Sequence, residues 1–126
     1  MVSAANKPIQ LTLIAGSSYS EREAWICNQL PLNIKSAVLL EGLPDGESPL
    51  GLEITQDLLV ERVASGCFCC AGNMVLRVVL NRLIRQKPAQ IFIAISQVEH
   101  LSALREFLQS PPYADLLMIQ DYRVLD

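Results

Sequence analysis

Charged residues are scarce in this chain. Lysine and arginine number 10 and aspartate and glutamate 13, so only 18% of the 126 residues are charged, and the formal net charge is −3. The low charge argues against a disordered chain, and the slight acidic excess disfavours nucleic-acid binding through a basic face. Hydrophobic residues make up 51% of the chain, enough to build the core of one domain. We therefore expect residues 1–126 to form a single domain.

Long apolar runs are also missing. No stretch approaches the roughly 18–20 apolar residues that a membrane-spanning helix requires. The first eight residues, MVSAANKP, have neither the charged start nor the apolar centre of a signal peptide. These absences predict a cytoplasmic protein without membrane association. Structural disulfides are rare in the cytoplasm, so clustered cysteines favour metal or redox chemistry there.

Short apolar segments alternate with amphipathic ones along the chain. The pattern predicts strands at residues 9–15, 36–41, 59–63, 90–95 and 116–125, and helices at about 21–30, 73–86 and 100–108. Ser20 and Glu23 have the spacing of a capping box for the first helix. An apolar stripe on the second helix is predicted to be core, formed by Val75, Leu76, Val79, Leu80 and Leu83. Alternating strands and helices predict an α/β domain with a mostly parallel sheet and helices on both faces.

Three of the four cysteines are crowded into one short segment, Gly66-Cys67-Phe68-Cys69-Cys70, just before the second predicted helix. Thiolates are soft metal ligands, and zinc is the divalent ion that best matches Cys67, Cys69 and Cys70. Three-fold ligation requires a tight turn, which neighbouring glycines permit. Two alternatives stay open: a redox pair at a helix N-terminus, where the helix dipole lowers a thiol pKa, and an inert relic of an ancestral metalloprotein.

The order of elements and the cysteine motif resemble the nucleotide-binding domain of the CobW-type metallochaperone GTPases. The resemblance rests on a strand and turn at Gly16, a second strand that ends in Glu41, and the motif E-x-x-x-x-G-C-x-C-C from Glu61 to Cys70. It covers roughly residues 9–126 and is specific at the cysteines. It implies a three-layer fold like that of P-loop NTPases, and a metal site in which Glu41 assists the thiolates.

Two further residues are weaker candidates for the metal site. A lone histidine that caps a helix, such as His100, is more often structural or simply exposed. Cys27 lies in the middle of a helix among apolar residues, where a cysteine usually behaves as a small hydrophobic side chain. The fourth ligand is therefore sought first at Glu41.

The nucleotide site that the resemblance implies is degenerate. A P-loop reads G-x-x-x-x-G-K-S/T because backbone amides wrap the phosphates, a lysine reaches them and a hydroxyl holds magnesium. The matching stretch, residues 16–23, retains only the first glycine of that motif. The residues assigned to this non-binding loop are Gly16, Ser20, Glu21 at the second glycine position, Arg22 at the lysine position and Glu23 at the hydroxyl position. The two glutamates are expected to occupy the positive helix end and to repel a triphosphate.

Other family motifs are also absent. Residues 93–97 lack the carboxylate and the glycine of the family's next acidic segment, and no guanine-reading motif follows before Asp126. The sequence therefore predicts a non-enzymatic module that binds or delivers zinc, with other divalent transition metals left open. A metal-acceptor protein or an active GTPase relative is the expected partner, and a homo-oligomer is also left open. The alternatives are a protein-interaction scaffold with relic cysteines and a residual GTP-binding protein.

Overall fold

A computed structural model describes residues 8–30, 34–42, 57–63 and 74–125. Five strands, three α-helices and two short 3-10 helices lie within these residues. In chain order the main elements are β1 (Ile9–Gly16), α1 (Tyr19–Gln29), β2 (Ser36–Glu41), β3 (Leu58–Val63), α2 (Met74–Arg85), β4 (Gln90–Ile95), α3 (Leu101–Leu108) and β5 (Leu117–Leu125). The 3-10 helices, Val98–His100 and Tyr113–Asp115, precede α3 and β5.

All five strands belong to one sheet in the order β3-β2-β4-β1-β5. Each neighbouring pair is parallel, with Leu11 of β1 opposite Ile91 of β4 and Leu39 of β2 opposite Ile93. The expected parallel sheet is confirmed. Because every strand runs in the same direction, the carboxyl ends of all five lie along one edge, which we call the carboxyl edge.

Helices cover both faces of the sheet, which gives the three layers expected from the sequence. Helices α2 and α3 pack on one face, against side chains that include Leu13 and Ile93. Helix α1 packs on the other face, where Ile14 and Phe92 lie. Successive strand residues point to opposite faces. The central strands are therefore buried on both sides, which explains why their sequences are continuous apolar runs.

The apolar stripe of α2 is narrower than the sequence predicted. Four of its five residues are buried, but Val75 is 41% exposed. At 3.6 residues per turn, Val75 lies about 90° from the centre of the stripe formed by Leu76, Val79, Leu80 and Leu83. The prediction of a core position was wrong for Val75 because a residue this far round the helix faces away from the sheet.

Helix α1 begins two residues earlier than the capping pattern suggested. Ser18 is the N-cap residue, and its hydroxyl accepts a hydrogen bond from the Glu21 amide at 3.1 Å. Ser20 instead lies in the first turn. The spacing Ser-x-x-Glu occurs twice, and the earlier copy forms the cap because Glu23 of the later copy is buried against another element. None of the described helices is long and apolar enough to cross a membrane.

Candidate site at the carboxyl edge of the sheet

Three buried charged residues, Arg22, Glu23 and Glu41, lie at or close to the carboxyl edge. Strands β1, β2 and β4 end there at Gly16, Glu41 and Ile95. Ligands of open parallel sheets bind outside the carboxyl ends of the strands. This edge is therefore the candidate functional site.

The turn between β1 and α1 folds around the side chain of Arg22. The guanidinium donates hydrogen bonds to the carbonyl oxygens of Gly16, at 2.9 Å, and Ser17, at 2.8 Å. Arg22 is only 3% exposed, and both turn residues have positive φ, 94° and 57°. A phosphate site requires backbone N–H groups that point inward. This turn instead directs two carbonyl oxygens towards a cation supplied by the chain itself.

The two glutamates of the degenerate loop have different surroundings. Glu21 stays in the first turn of α1, where its carboxylate accepts a hydrogen bond from the Ser18 hydroxyl at 3.1 Å. Glu23 is completely buried and forms an ion pair with Arg62 of β3 at 3.2 Å. The expectation that both carboxylates occupy the helix end is therefore wrong for Glu23. Residues two apart on a helix point about 200° apart, so they cannot share one side of its terminus.

Glu41 is a buried carboxylate with a fixed orientation. It is 1% exposed, and its Oε1 accepts hydrogen bonds from the Ser96 amide, at 2.9 Å, and from the Ser96 hydroxyl, at 3.2 Å. Ser96 is the first residue after β4, the strand beside β2. Two residues from adjacent strand ends thus meet at the carboxyl edge, and one holds the side chain of the other.

A tight contact joins the end of β2 to the start of α1. Gly42 has φ +122°, and a Cβ atom there would lie 3.0 Å from Cδ2 of Tyr19. Sequence reasoning missed both residues. The signal for Gly42 was its place directly after a buried strand, but nothing in the sequence indicated which aromatic ring would cover it.

The cysteines Cys67, Cys69 and Cys70 lie outside the described residues. The described chain stops at Val63 and resumes at Met74, so these residues bound the segment. Val63 is paired with Glu41, and its carbonyl oxygen accepts a hydrogen bond from the Gly42 amide at 2.8 Å. The segment that carries the cysteines therefore starts beside Glu41.

The weaker ligand candidates are both described. Cys27 is half-buried in α1 and packs against the apolar cluster on that face, with a free thiol. His100 ends the 3-10 helix after Ser96, and its buried Nδ1 has no hydrogen-bond partner in the described part of the chain. Among residues 8–30, 34–42, 57–63 and 74–125, no three histidine, cysteine, aspartate or glutamate side chains are grouped as a metal site would require. A ligand role for either residue stays a prediction.

A shallow cleft lies elsewhere, on the α1 face of the sheet. Its volume is about 370 Å³. It is lined by Thr12, Trp25, Gln29, Gln90, Phe92, Gln120 and Asp121. None of the residues predicted for the metal site or the degenerate loop lines it, so the cleft and the carboxyl edge are separate features.

Burial near this edge also gives a prediction for alkaline pH. Burial raises the pKa of the Tyr19 phenol above its ordinary value of 10.0, and the Arg62 guanidinium partly opposes that effect. The fold therefore favours the neutral phenol. The contribution of the neutral Tyr19 phenol to stability is complete below pH 10, and it is lost as the pH rises through the pKa that Tyr19 has in the folded protein. We expect the free energy of unfolding to fall above pH 10, and to fall less steeply in Tyr19→Phe.

Urea unfolding at a series of pH values from about 8 to 11 measures this effect, because tyrosine titrates near 10. Burial also raises the pKa of Tyr113, whose hydroxyl donates a hydrogen bond to Asn81 Oδ1 at 2.8 Å. Tyr113→Phe should therefore also make the loss of stability above pH 10 less steep, and it is measured beside Tyr19→Phe. An identical pH profile for wild type and Tyr19→Phe would contradict the assignment.

The fold defines an α/β protein with a five-stranded parallel sheet between two helical layers. Comparisons of the chain with protein-family models, with curated proteins and with solved structures find no match. The likeness to CobW-type GTPases thus rests only on the residues quoted from the sequence.

Proposed function

We propose that this chain is a non-enzymatic zinc-binding module whose site combines Cys67, Cys69 and Cys70 with Glu41 at the carboxyl edge. The observation that carries the proposal is the position of Glu41. Its carboxylate is buried and is oriented by a hydrogen bond from Ser96. In the sheet, Glu41 is the strand partner of Val63, the last described residue before the segment with the three thiols.

The chemistry of this donor set suits zinc. Zinc binds cysteine thiolates, histidine nitrogens and carboxylate oxygens, and it is usually four-coordinate in proteins. Ligating carboxylates are commonly held by hydrogen bonds from a second residue, as Ser96 holds Oε1 of Glu41. A buried carboxylate also attracts a divalent cation strongly, because water screens the interaction less than at the surface.

The β1–α1 turn supports the non-enzymatic part of the proposal. The Arg22 guanidinium lies inside this turn, where it donates hydrogen bonds to the carbonyl oxygens of Gly16 and Ser17. Carbonyl oxygens repel phosphate oxygens. By the resemblance described above, we propose a cytoplasmic metal-acceptor protein or an active GTPase relative as the partner.

The proposal is tested by zinc content. Protein purified without chelator or metal-affinity tag is analysed by mass spectrometry, with free thiols counted in parallel. We expect about one zinc per chain in the wild type, with the clustered thiols protected, and none in Cys67→Ser/Cys70→Ser. Cys27→Ser is the matched control and should keep its zinc. Full zinc in the double variant would contradict the proposal.

Two further variants test the role of Glu41. Glu41→Gln removes the charged ligand at nearly constant volume, and Ser96→Ala removes one hydrogen bond to it. Loss of such a supporting hydrogen bond typically weakens metal affinity about 10–100-fold. A competition titration with a zinc chelator measures both variants. If both bind zinc like the wild type while Cys67→Ser/Cys70→Ser does not, the fourth ligand is not Glu41.

The alternatives give different results in the same experiments. A redox pair predicts no zinc and a disulfide that a reductant opens. An inert relic predicts no zinc and four free thiols, even after anaerobic zinc addition. Residual GTP binding predicts a thermal shift with GTP and magnesium, since ligand at 100 times Kd stabilises a protein by about 2.7 kcal/mol. We expect no shift at millimolar nucleotide.

A further inference from the structure

Among the described residues, strand β5 is an edge strand of the sheet. It pairs with β1 on one side, and none of the described strands pairs with its other side. Three large apolar side chains on this strand are about half exposed, Met118 at 49%, Tyr122 at 48% and Val124 at 50%. Long apolar edge strands are sites of strand addition, which proteins normally suppress. This edge therefore has the character of an interface.

Two residues of opposite charge flank Tyr122 on β5. Asp121 and Arg123 lie on the α1 face, in register with Thr12 and Ile14 of β1, and contact each other at 2.8 Å. Both side chains remain substantially exposed. The Tyr122 ring lies on the opposite face, where the guanidinium of α3 residue Arg105 stands 4.1 Å from its centroid. An acidic and a basic residue thus flank a central aromatic residue.

We propose that two copies of the chain associate through antiparallel pairing of their β5 strands, about a two-fold axis at Tyr122. In this register Asp121 lies opposite the partner's Arg123, and Arg123 opposite the partner's Asp121. The two tyrosines face each other at the centre. Opposite charges across antiparallel strands are stabilising, and aromatic pairs add to them. The edge is therefore complementary in charge to a second copy of itself.

Symmetry excludes the neighbouring registers. A two-fold axis perpendicular to the sheet keeps each side chain on its own face, so the axis must pass through a pair of identical residues. An axis at Asp121 or at Arg123 would place identical charges opposite each other, which is destabilising. An axis at Gln120 would place both charges opposite apolar residues. Only the axis at Tyr122 makes two ion pairs.

The interface is small, which sets the expected affinity. The pairing of β5 with β1 shifts register between Ile119 and Asp121, so the regular part of the edge begins at Asp121. A short strand pair buries less than the roughly 1,200–2,000 Å² of a standard interface, so we expect micromolar rather than nanomolar dissociation. Glu41 lies on β2, two strands away from β1, so the dimer and the proposed zinc site are independent.

Charge exchange tests this proposal. Sedimentation equilibrium over a concentration series, with a reductant to exclude disulfide dimers, should show a reversible wild-type dimer. Asp121→Arg places like charges opposite each other at both pairs, and so does Arg123→Asp. Each variant should raise the dimer Kd about tenfold or more. The double variant D121R/R123D restores both pairs and should dimerise like the wild type.

Mixing the two single variants gives the sharpest result. Each is expected to dimerise more weakly than the wild type when alone, but together they should form a 1:1 heterodimer with the wild-type affinity, because every arginine then faces an aspartate. Circular dichroism and unchanged zinc content show that the variants fold. A monomeric wild type at the highest attainable concentration, or single variants that dimerise normally, would overturn the proposal. A double variant as weak as the single ones would also do so, because it would show a different register.

Discussion

Substituting alanine for Gly16 is expected to lower the free energy of unfolding by about 3 kcal/mol. Two effects add. The residue has φ +94°, which non-glycine residues adopt only with strain. A Cβ atom there would also lie 2.5 Å from the carbonyl oxygen of Leu125, so the end of β5 would have to move. Denaturant unfolding followed by circular dichroism measures the change.

The neighbouring residue provides the matched control. Ser17 also has positive φ, 57°, but it already carries a side chain. Ser17→Gly relieves backbone strain and increases the entropy of the unfolded chain, so its net effect should stay within about 1 kcal/mol. If Gly16→Ala proved as stable as Ser17→Gly, the end of β5 would not lie against Gly16 as the structure shows.

The strands could be predicted from the sequence because strands that are buried on both faces are composed almost entirely of apolar residues. Residues 36–41 and 90–95 lie in central strands that are covered on both faces, so each appears as a continuous apolar run with polar residues only at its ends. The helix boundaries were less certain. Two overlapping Ser-x-x-Glu patterns precede α1, and local spacing alone cannot decide between them.

The contacts at the carboxyl edge could be predicted only in part. Arg22 and Glu41 were singled out through a family resemblance, and the structure places both at this edge. The ion pair between Glu23 and Arg62 joins residues 39 apart in the chain, so it depends on strand order rather than on any local pattern. Strand order is a property of the whole sheet, and a single sequence does not state it.

The cysteine motif stays a sequence prediction with a structural boundary. The described residue that precedes the segment is Val63, which ends β3 and is paired with Glu41 of β2. Because Glu41 is paired with Val63 and hydrogen-bonded to Ser96, its role as the fourth ligand can be tested with two variants, Glu41→Gln and Ser96→Ala. The test thus follows from the sheet, although the motif itself was found in the sequence.

Replacing Arg22 with methionine is expected to destabilise the protein by about 3 kcal/mol, because two carbonyl groups would lose their hydrogen-bond donor in a buried site. Methionine keeps much of the aliphatic volume of arginine, so the loss reports mainly on the guanidinium. Arg22→Lys retains the charge but not the forked donor geometry, and should lose less. Thermal and denaturant unfolding measure both variants.

Arg82→Met is the control for Arg22→Met, because Arg82 is half-exposed and forms an ion pair with Glu61 at 3.2 Å. Such pairs contribute about 1 kcal/mol or less.

The Arg22 variant also separates two explanations for the degenerate loop. If the turn itself is unsuitable for phosphates, removing the arginine leaves inward-facing carbonyl oxygens, and GTP with magnesium still gives no thermal shift. A shift that appears in Arg22→Met but not in the wild type would contradict our proposal, because it would show an arginine occupying a nucleotide site that still works.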